Sequence, residues 1–306
     1  MAVLIRRVVL VANPVARRAR RALPGAERAL GAAGLEVHCR LTGHPGHAGE
    51  IAAEHRARGD CDAVFVLGGD GTVMEVAGAL SGSELPLAVL PGGTGNLLAR
   101  ALGIPFRPAR AVPALLEGGR RRIDLGILTT EGHPPRHFAI AGGIGIDSQM
   151  VARTPGWMKR RLGLFAYVLT AAHHAVTSVL RRDLVHVRVT VDGHVVERDA
   201  ALAMIANFGA VVNDRITFGP GIVSDDGMLD ACIYAPRSLR QAVAIMWRLL
   251  RKDFRSSAGV DYRSGSRIRI EATPPQRVQA DGELLGFTPA DAVVCPRAVT
   301  LLVPRR

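Results

Sequence analysis

The chain has 306 residues, of which 48% are hydrophobic, 22% charged and only 4% aromatic. This length exceeds that of a typical single domain and allows two, each with its own core. The apolar fraction excludes intrinsic disorder, because enough surface can be buried to offset the entropy of the chain.

The chain is strongly basic, with a formal net charge of +12. This excess favours anionic partners such as phosphates, nucleic acids or an acidic membrane surface, although an ordinary solvated surface is the alternative. Recognition of single-stranded nucleic acid relies on basic residues interleaved with stacking aromatic residues, which are scarce here. We therefore expect no specific nucleic-acid partner.

Cysteine usage and the apolar segments indicate a cytoplasmic protein. The four cysteines are scattered and form no CxxC pair, which predicts a reduced protein without a zinc site or a disulfide framework. Paired arginines at positions 6 and 7 interrupt the first apolar run and argue against a signal peptide. Residues 162–180 lack formal charges but are of marginal length and contain His173 and His174. An amphipathic or buried helix is favoured there over a membrane span.

The first part of the chain alternates strand-like and helix-like segments. In order they are RRVVLVANP, RRARRALPGAERALGAAG ending near Gly34, LEVHCRLT, HAGEIAAEHRARG, DAVFVLGGD, TVMEVAGAL, LPLAVLPGGTGN and LLARALG. Apolar strands alternating with helices predict a doubly wound parallel sheet. Ligands of such sheets bind beyond the carboxyl ends of the strands. We therefore expect the loops at 13–14, 68–72 and 91–96 to converge on one edge.

After residue 124 the pattern changes to short β-type runs separated by turn residues, including an Asp192-Gly193 hairpin turn. This predicts a mostly antiparallel β-sandwich, interrupted by helices over about 158–180 and 239–255. The expected domains are 1–124 and 125–306, with a return of the last residues to the first domain left open.

The loop GGDGT at 68–72 has the composition of a phosphate-binding turn. Its glycines let backbone amides turn outward at the start of a helix, where anionic oxygens bind well. A tight strand-to-helix turn without a ligand is the alternative. The chain contains no GxxxxGK[ST] motif, which excludes a standard P-loop. The loop PGGTGN at 91–96 repeats the pattern, with a Thr94 hydroxyl and with Asn96 as a possible helix cap.

Several motifs in order resemble the diacylglycerol kinase catalytic-domain family, which includes bacterial soluble lipid kinases and the sphingosine and ceramide kinases. They are an Asn-Pro closing the first strand, GGDGT, PGGTGN, GGIGIDSQM, SDDGMLDACIY and QADGELLG. The resemblance covers nearly the whole chain. It implies a nucleotide-binding domain like those of NAD kinases and phosphofructokinases, followed by a β-sandwich. It also implies transfer of the γ-phosphate of ATP to a lipid hydroxyl, as in diacylglycerol or a sphingoid-like lipid.

Two alternatives remain at this point. GGDGT alone is shared with NAD kinases, so an NAD kinase is the first alternative. A nucleotide-binding regulator that retains the glycine loops but has lost transfer activity is the second.

The resemblance also implies a set of nucleotide-site residues: Asn13, Thr42, Gly68, Gly69, Asp70, Gly71, Thr72, Val73, Met74, Thr94 and Asn96. Asp70 is expected to face the ion that accompanies ATP. Asp147 is expected either to line the site or to form a structural turn.

The later acidic motifs suggest the base and the metal. By resemblance, Glu283 of the Asp-Gly-Glu motif is the proton acceptor and Asp281 a close second, although Asp-Gly is also a common hairpin turn. Mg²⁺ is expected at the Asp226 carboxylate and the carbonyl groups of Val223 and Met228, a hard-oxygen set that suits this ion.

The chain departs from the family pattern at three points. NPVARRARR lacks the usual Ser-Gly of the first loop, so Arg17 or Arg18 is expected to supply charge there. Met74 precedes Glu75 where Asn is usual, and Leu97 follows Asn96 where Asp is common. These changes leave the identity of the acceptor lipid open.

Two amphipathic segments are candidates for contact with the membrane. In 239–255 an apolar arc lies beside basic residues, and 157–165 offers a similar pattern; the arc comprises Leu239, Val243, Met246, Trp247, Leu250 and Phe254. We expect one segment to bind an anionic leaflet, which makes the protein peripheral at the inner face of the membrane. Packing against the second domain is the alternative, and exposed strands make a homodimer possible.

Overall fold

The computed structural model describes residues 5–144, 184–211, 216–255, 257 and 259–305. The chain divides into two compact units. Unit 1 comprises Met1–Asp124 and Arg297–Arg306, and unit 2 comprises Leu125–Pro296.

Unit 1 alternates strands and helices. Its elements are β1 (Arg7–Ala12), α1 (Arg17–Ala32), β2 (Glu36–Leu41), α2 (His47–Arg58), β3 (Ala63–Gly68), α3 (Asp70–Ala79), β4 (Leu87–Pro91), α4 (Leu97–Ala101) and α5 (Pro108–Leu116). The strands form a parallel sheet in the order β2-β1-β3-β4. Every residue of β3 and β4 is buried, as expected for central strands with both faces covered. The predicted parallel sheet is confirmed.

Local chemistry sets the ends of two helices in this unit. Helix α1 ends at Ala32, and Gly34 follows with φ 75. Gly59 ends α2 with φ 62 and donates its amide to the His55 carbonyl at 3.0 Å. Glycine adopts this left-handed conformation without a Cβ clash, which is why it terminates helices. The predicted stop near Gly34 is confirmed.

Unit 2 is mostly antiparallel. Its elements are β5 (Gly119–Thr130, which begins in unit 1), β6 (Arg136–Phe138), β7 (Ala141–Ile144), β8 (Val185–Val191), β9 (His194–Ala200), β10 (Leu202–Ala206), β11 (Ala210–Val211), β12 (Ile216–Thr217), β13 (Leu229–Tyr234), α6 (Leu239–Leu250), β14 (Val260–Gly265), β15 (Arg267–Thr273), β16 (Arg277–Ala280), β17 (Glu283–Phe287) and β18 (Ala290–Val303). One sheet runs β14-β13-β10-β7-β16-β17, and β18-β15-β8-β9 form a second layer. Side chains of both layers share one apolar core. The predicted β-sandwich is confirmed.

The predicted hairpin at 192–193 joins β8 and β9. Asp192 has φ 44 and Gly193 has φ 86, the positive pair that a tight hairpin turn requires. The Asp192 carboxylate also accepts the Ser266 and Arg267 amides, each at 2.9 Å. These hydrogen bonds lower the pKa of Asp192 and fasten the hairpin to β15.

Strand β18 crosses from unit 2 into unit 1. At the crossing, Arg297 has φ 48 and its amide donates to Asp124 Oδ1 at 2.5 Å. Beyond it, Leu301 pairs with Leu87 of β4 in the parallel sense. The side chains of this return are buried: Ala298, Val299, Leu301 and Leu302. Unit 1 is thus completed by the last strand of the chain.

The expected helix over 239–255 is shorter than its pattern suggested. Helix α6 ends at Leu250, and Lys252 has φ 56, a left-handed conformation that stops the helix. Phe254 therefore lies outside the predicted apolar arc. Its ring packs edge-on against Tyr262, with 6.2 Å between centroids.

Several sequence predictions fall outside the described residues, namely the helix at 158–180, the amphipathic stretch at 157–165 and Asp147. Among the helices that the structure describes, none is both long and apolar enough to cross a membrane.

Candidate active site

The GGDGT loop links β3 directly to α3. Gly69 is the N-cap with an extended backbone, and α3 begins at Asp70. A Cβ on Gly68 would lie 2.7 Å from the Thr72 Cβ, so the Thr72 side chain folds back over the turn only because residue 68 is glycine. The turn therefore places the first amides of α3 at the carboxyl edge of the parallel sheet.

The loop after β4 packs against this turn through its backbone. Gly92 donates its amide to the Gly68 carbonyl at 2.9 Å. A Cβ on Gly93 would lie only 2.5 Å from Gly69 Cα. Glycine is required at residue 93 by close approach rather than by an unusual φ. The predicted convergence of these two loops is confirmed.

Asp70 makes backbone contacts that the sequence did not predict. Both Asp70 oxygens accept backbone amides at the start of α4, from Asn96 at 2.7 Å and from Leu97 at 2.5 Å. Asp70 therefore caps α4 from another loop, a role that satisfies exposed helix amides. These amides are the partners of its carboxylate, and its expected role towards the ion that accompanies ATP stays a prediction.

Asn96 occupies the N-cap position of α4, as the sequence suggested, but its side chain makes no capping hydrogen bond. Its side chain closes the loop on itself, with Oδ1 accepting the Gly93 amide at 2.8 Å and Nδ2 donating to the Gly93 carbonyl at 2.9 Å. The residue is buried and left-handed, with φ 50. The Asn96 side chain thus shapes the loop instead of capping the first amides of α4.

The loop after β1 joins the same edge. Asn13 donates from Nδ2 to Thr72 Oγ1 at 3.1 Å, and its amide donates to the Leu67 carbonyl at 3.1 Å. Thr42 directly follows the neighbouring strand β2, and its amide donates to the Ala12 carbonyl at 2.9 Å. The predicted convergence of the three loops is confirmed.

The exposed Arg18 side chain reaches across the same edge. Its Nη1 donates to the Gly93 carbonyl at 3.2 Å, so a guanidinium stands over the glycine loops. Arg100 also braces the second loop, through Nε to the Gly95 carbonyl at 2.8 Å. Arg18 was expected from the altered first loop, whereas nothing in the sequence distinguished Arg100 from the many other arginines.

The remaining residues predicted for the nucleotide site differ in the solvent exposure of their side chains. Thr94 is exposed at the tip of its loop. Val73 and Met74 have buried side chains, so only their backbone can contribute to a binding site. Met74, where the chain departs from the family pattern, is therefore a core residue.

In unit 2 the Asp-Gly-Glu motif forms the hairpin between β16 and β17. Asp281 has φ 46 and Gly282 has φ 88. The Asp281 carboxylate accepts hydrogen bonds from three backbone amides, those of Ala139 at 2.8 Å and of Ile140 and Ala141 at 3.0 Å each. Asp281 thus anchors this hairpin to the start of β7, which places Glu283 at the first position of β17.

Glu283 is half-exposed and forms an ion pair with Arg136 of β6. The side chains of Glu283 and Arg136 are each 42% exposed. The guanidinium fixes the orientation of the carboxylate while leaving it open to solvent. Arg136 was not predicted, because no motif surrounds it.

The residues predicted to bind magnesium lie in one turn before β13. Asp226 Oδ1 accepts the Met228 amide at 3.0 Å, with Gly227 at φ 78 between them. Asp226 is exposed, as is Val223. Nearby Asp230 is buried and accepts the Ser264 hydroxyl; burial raises its pKa, and the charge of Asp226 adds to this effect. An exposed carboxylate is a hard oxygen ligand of the kind that Mg²⁺ prefers, and the binding of this ion here stays a prediction.

Comparison with known proteins decides the family. Residues 7–128 match the diacylglycerol kinase catalytic domain, and residues 142–303 match the YegS C-terminal NAD kinase beta sandwich-like domain. The chain combines a diacylglycerol kinase catalytic domain with a YegS-type C-terminal domain. The catalytic domain makes the chain a member of a kinase family. Such a family implies ATP as the phosphoryl donor and typically uses a divalent cation.

Relatives extend over most of the chain. A diacylglycerol kinase of Mycobacterium tuberculosis is 28% identical over 98% of this chain and 96% of its own length. That of Bacillus subtilis is 26% identical over 89% of this chain and 88% of its own. An uncharacterized protein of Synechocystis is 27% identical over 82% of this chain, which spans only 57% of that longer protein. A Bacillus anthracis crystal structure assigned as a diacylglycerol kinase superposes with a TM-score of 0.77 at 25% identity, covering 99% of this chain and 97% of the other.

Proposed function

We propose that this protein is an ATP-dependent lipid kinase, which phosphorylates the hydroxyl of a lipid such as diacylglycerol or a sphingoid-like lipid. The main observation in its favour is the packing of three loops around Gly69 and Gly93 at the carboxyl edge of the unit 1 sheet. Those loops carry the motifs of a kinase family, and relatives named diacylglycerol kinase align over nearly the whole chain.

The loops of unit 1 are proposed to hold the nucleotide. Amides at the start of α3 and those of Thr94 and Gly95 in the second loop are proposed as donors to phosphate oxygens, because a helix N-terminus favours negative charge. The Arg18 guanidinium adds a formal charge beside them. Thr42 and Thr94 offer hydroxyl groups on the flanking loops. Catalysis of phosphoryl transfer depends mainly on this kind of positioning and charge neutralisation.

Glu283 is proposed as the general base. The lipid hydroxyl oxygen forms a bond to the γ-phosphorus, the bond from that phosphorus to the β,γ-bridging oxygen breaks, and ADP leaves. The hydroxyl proton passes to the Glu283 carboxylate, while Arg136 holds that carboxylate in place. Asp281 acts as a positioning residue, since its oxygens are engaged by three amides of the β6–β7 segment.

Mg²⁺ is proposed to bind at Asp226 together with the carbonyl groups of Val223 and Met228. When bound, it would supply positive charge that compensates the phosphate oxygens. The exposed position of Asp226 leaves room for retained water ligands, which this ion prefers.

Parallel incubations of the protein with labelled ATP and one acceptor each, either diacylglycerol, sphingosine or NAD, test the assignment. We expect a labelled lipid, and a Glu283→Gln variant with kcat reduced by about 10²- to 10⁴-fold and nearly unchanged ATP affinity. Glu271→Gln, which alters a half-exposed glutamate paired with Arg269 on β15, is the matched control.

Each alternative has its own outcome in this assay. Labelled NAD without labelled lipid would identify an NAD kinase. Bound ATP without any labelled acceptor would favour the nucleotide-binding regulator. Full activity of Glu283→Gln would refute the assigned base.

Helix α6 is proposed as the surface that contacts the membrane. Its buried face is formed by Ala242 and Ile245. The opposite face presents an apolar stripe to solvent; its side chains are 42 to 56% exposed and comprise Leu239, Val243, Trp247 and Leu250. An apolar stripe of this kind on a helix suits the boundary between headgroups and acyl chains.

Basic side chains border the stripe on one side. Arg240 and Arg251 are exposed, and the Arg251 guanidinium lies 4.6 Å from the centroid of the Trp247 ring. Together with a net charge of +12, this arrangement complements an anionic leaflet. The protein is then peripheral at the inner, anionic face of the cytoplasmic membrane.

Flotation with vesicles that contain anionic lipid tests this contact. We expect binding at low salt, weaker binding at high salt, and a loss of at least about tenfold in affinity for Val243→Ser/Trp247→Ser. Val195→Ser changes an apolar residue of β9 that is 49% exposed and serves as the control. Equal binding by the double variant, or a change from dimer to monomer caused by it, would refute membrane contact through α6.

A further inference from the structure

A cluster of two histidines and a glutamate lies at the start of α2. The ligand-type atoms of His44, His47 and Glu50 are all within 4.8 Å of one another. The two imidazole rings stack with 4.6 Å between centroids and only 5° between planes. His44 Nε2 lies 3.7 Å from Glu50 Oε2. No part of the proposed kinase mechanism uses these side chains.

The hydrogen bond of His44 leaves a ligand atom available. Its Nδ1 contacts the Pro45 carbonyl oxygen at 3.0 Å, and because a carbonyl only accepts, Nδ1 must be the protonated nitrogen. The lone pair is then on Nε2, which faces Glu50. Metal-binding histidines commonly have this arrangement, in which a backbone carbonyl fixes the tautomer of the ring.

The backbone around the cluster is held firmly from below. The Glu75 carboxylate of α3 accepts the Gly46 amide at 2.9 Å and the Ala48 amide at 3.2 Å. Ala48 and Ile51 of α2 are fully buried. The backbone of the helix that carries His47 and Glu50 is therefore fixed. The side chains of His44 and Glu50 are exposed and that of His47 is partly exposed, so they can turn towards a common ion.

His47 is the ligand that must rearrange. Its Nδ1 accepts the Gly43 amide at 2.9 Å, so its proton is on Nε2. Coordination through either nitrogen requires this one exposed hydrogen bond to open. Gly46, with φ 88, is the N-cap of α2 and keeps its bond to Glu75, so the rearrangement is confined to the His47 side chain and the Gly43 amide.

We propose that His44, His47 and Glu50 form a binding site for a divalent transition metal of the Zn²⁺ class. Two imidazoles and one carboxylate are a characteristic ligand set for Zn²⁺, Co²⁺ or Ni²⁺, whereas Mg²⁺ and Ca²⁺ prefer oxygen ligands alone. Three protein ligands leave a further coordination position for water. The cysteine spacing predicted no zinc site, and this site contains no cysteine.

The site acts as a clip between the loop after β2 and the first turn of α2. Closing it fixes residues 43–46, which directly follow Thr42 at the carboxyl edge of the sheet. Metal binding therefore stabilises unit 1 and does not depend on whether the acceptor of the kinase is a lipid.

Titration of tag-free protein with Zn²⁺ in a background of Mg²⁺ tests the proposal. We expect the wild type to bind one equivalent that is lost, or weakened at least about tenfold, in His44→Ala and in Glu50→Gln. His186→Ala is the matched control, because His186 is an equally exposed histidine paired with a carboxylate, that of Asp199, at 3.1 Å. Co²⁺ in place of Zn²⁺ should give the visible absorption of a low-coordinate site in the wild type and not in His44→Ala.

A second measurement separates this site from binding elsewhere. Because the Gly43 hydrogen bond must open, Zn²⁺ should shift the Gly43 amide resonance in an ¹⁵N-labelled sample and raise the melting temperature of the wild type but not of His44→Ala. Equal stoichiometry and affinity in wild type and His44→Ala would overturn the proposal. So would the absence of Zn²⁺ binding by the wild type, or Zn²⁺ binding that leaves the Gly43 amide unchanged.

Discussion

Asp70 is a partly buried carboxylate at the centre of the glycine loops. Burial raises its pKa, while the amide hydrogen bonds from Leu97 and Asn96 oppose that rise. A carboxyl group with a raised folded-state pKa is bound more tightly to its proton in the folded chain than in the unfolded one. Its contribution to stability is therefore greatest below the unfolded pKa of about 3.9 and is lost as the pH rises through the folded pKa.

Replacing Asp70 by Asn should remove this pH dependence. We expect the free energy of unfolding of the wild type, relative to Asp70→Asn, to fall as the pH increases from about 4 towards about 7. Urea unfolding at a series of pH values measures the difference. Glu117→Gln, an exposed glutamate after α5, is the control. A difference that stays constant or grows with pH would contradict the burial of this charge.

Gly93 tests the backbone contact between the two phosphate-type loops. An added Cβ would lie 2.5 Å from Gly69 Cα, so Gly93→Ala must push the loops apart. We expect a loss of about 1 to 3 kcal/mol in stability and a loss of at least about tenfold in ATP affinity, measured by denaturation and calorimetry. Gly25→Ala is the control, because a Cβ there meets nothing within 4 Å. Unchanged ATP affinity would separate the loops from nucleotide binding.

At the scale of elements, the sequence predicted the turn within one hairpin. It did not predict a helix cap whose capping residue lies in a distant part of the chain. Asp192-Gly193 is a local pattern whose φ requirements follow from its own residues. Asp70, by contrast, caps a helix 27 residues further along the chain through its contact with Leu97. Likewise, the apolar arc over 239–255 identified a helix but did not show which side faces inward, and the buried face proved to be Ala242 and Ile245.

The hairpin between β8 and β9 should depend on glycine at its second turn position. Gly193 has φ 86, which costs a residue with a Cβ about 1 to 2 kcal/mol. Gly193→Ala is expected to lower the free energy of unfolding by that amount. Gly119→Ala, at a position without positive φ and with open space around it, should leave stability nearly unchanged. Equal effects of the two changes would argue against a conformational cause.

At the scale of the whole molecule, the sequence pattern predicted the class of each half because strand and helix periodicities differ along the chain. The pairing of Leu301 with Leu87 joins residues more than two hundred positions apart, and no local pattern encodes it. The positions of Arg100 and Arg136 were equally hard to foresee, since side chains of one type are common in this arginine-rich chain. Contacts between distant segments thus set the limit of sequence-based prediction here.

Removal of residues 297–306 should destabilise unit 1. The deletion takes away four buried apolar side chains, each worth about 1.5 to 3 kcal/mol except the smaller Ala298; they are Ala298, Val299, Leu301 and Leu302. We expect insoluble protein, or a melting temperature lower by more than about 10 °C. Removal of residues 305–306 alone, which lie beyond β18, is the control. A soluble deletion variant with an unchanged melting temperature would contradict the role of the returning strand.

The same return of β18 has a consequence during synthesis. The ribosome makes the glycine loops within the first hundred residues, yet the strand that lies beside β4 is the last to emerge. While unit 2 is being translated, the edge of β4 remains unpaired and open to solvent. A nascent chain halted before residue 297 should therefore be cleaved by protease within unit 1 more readily than the released protein, and this vulnerability should end once residues 297–306 have emerged and paired.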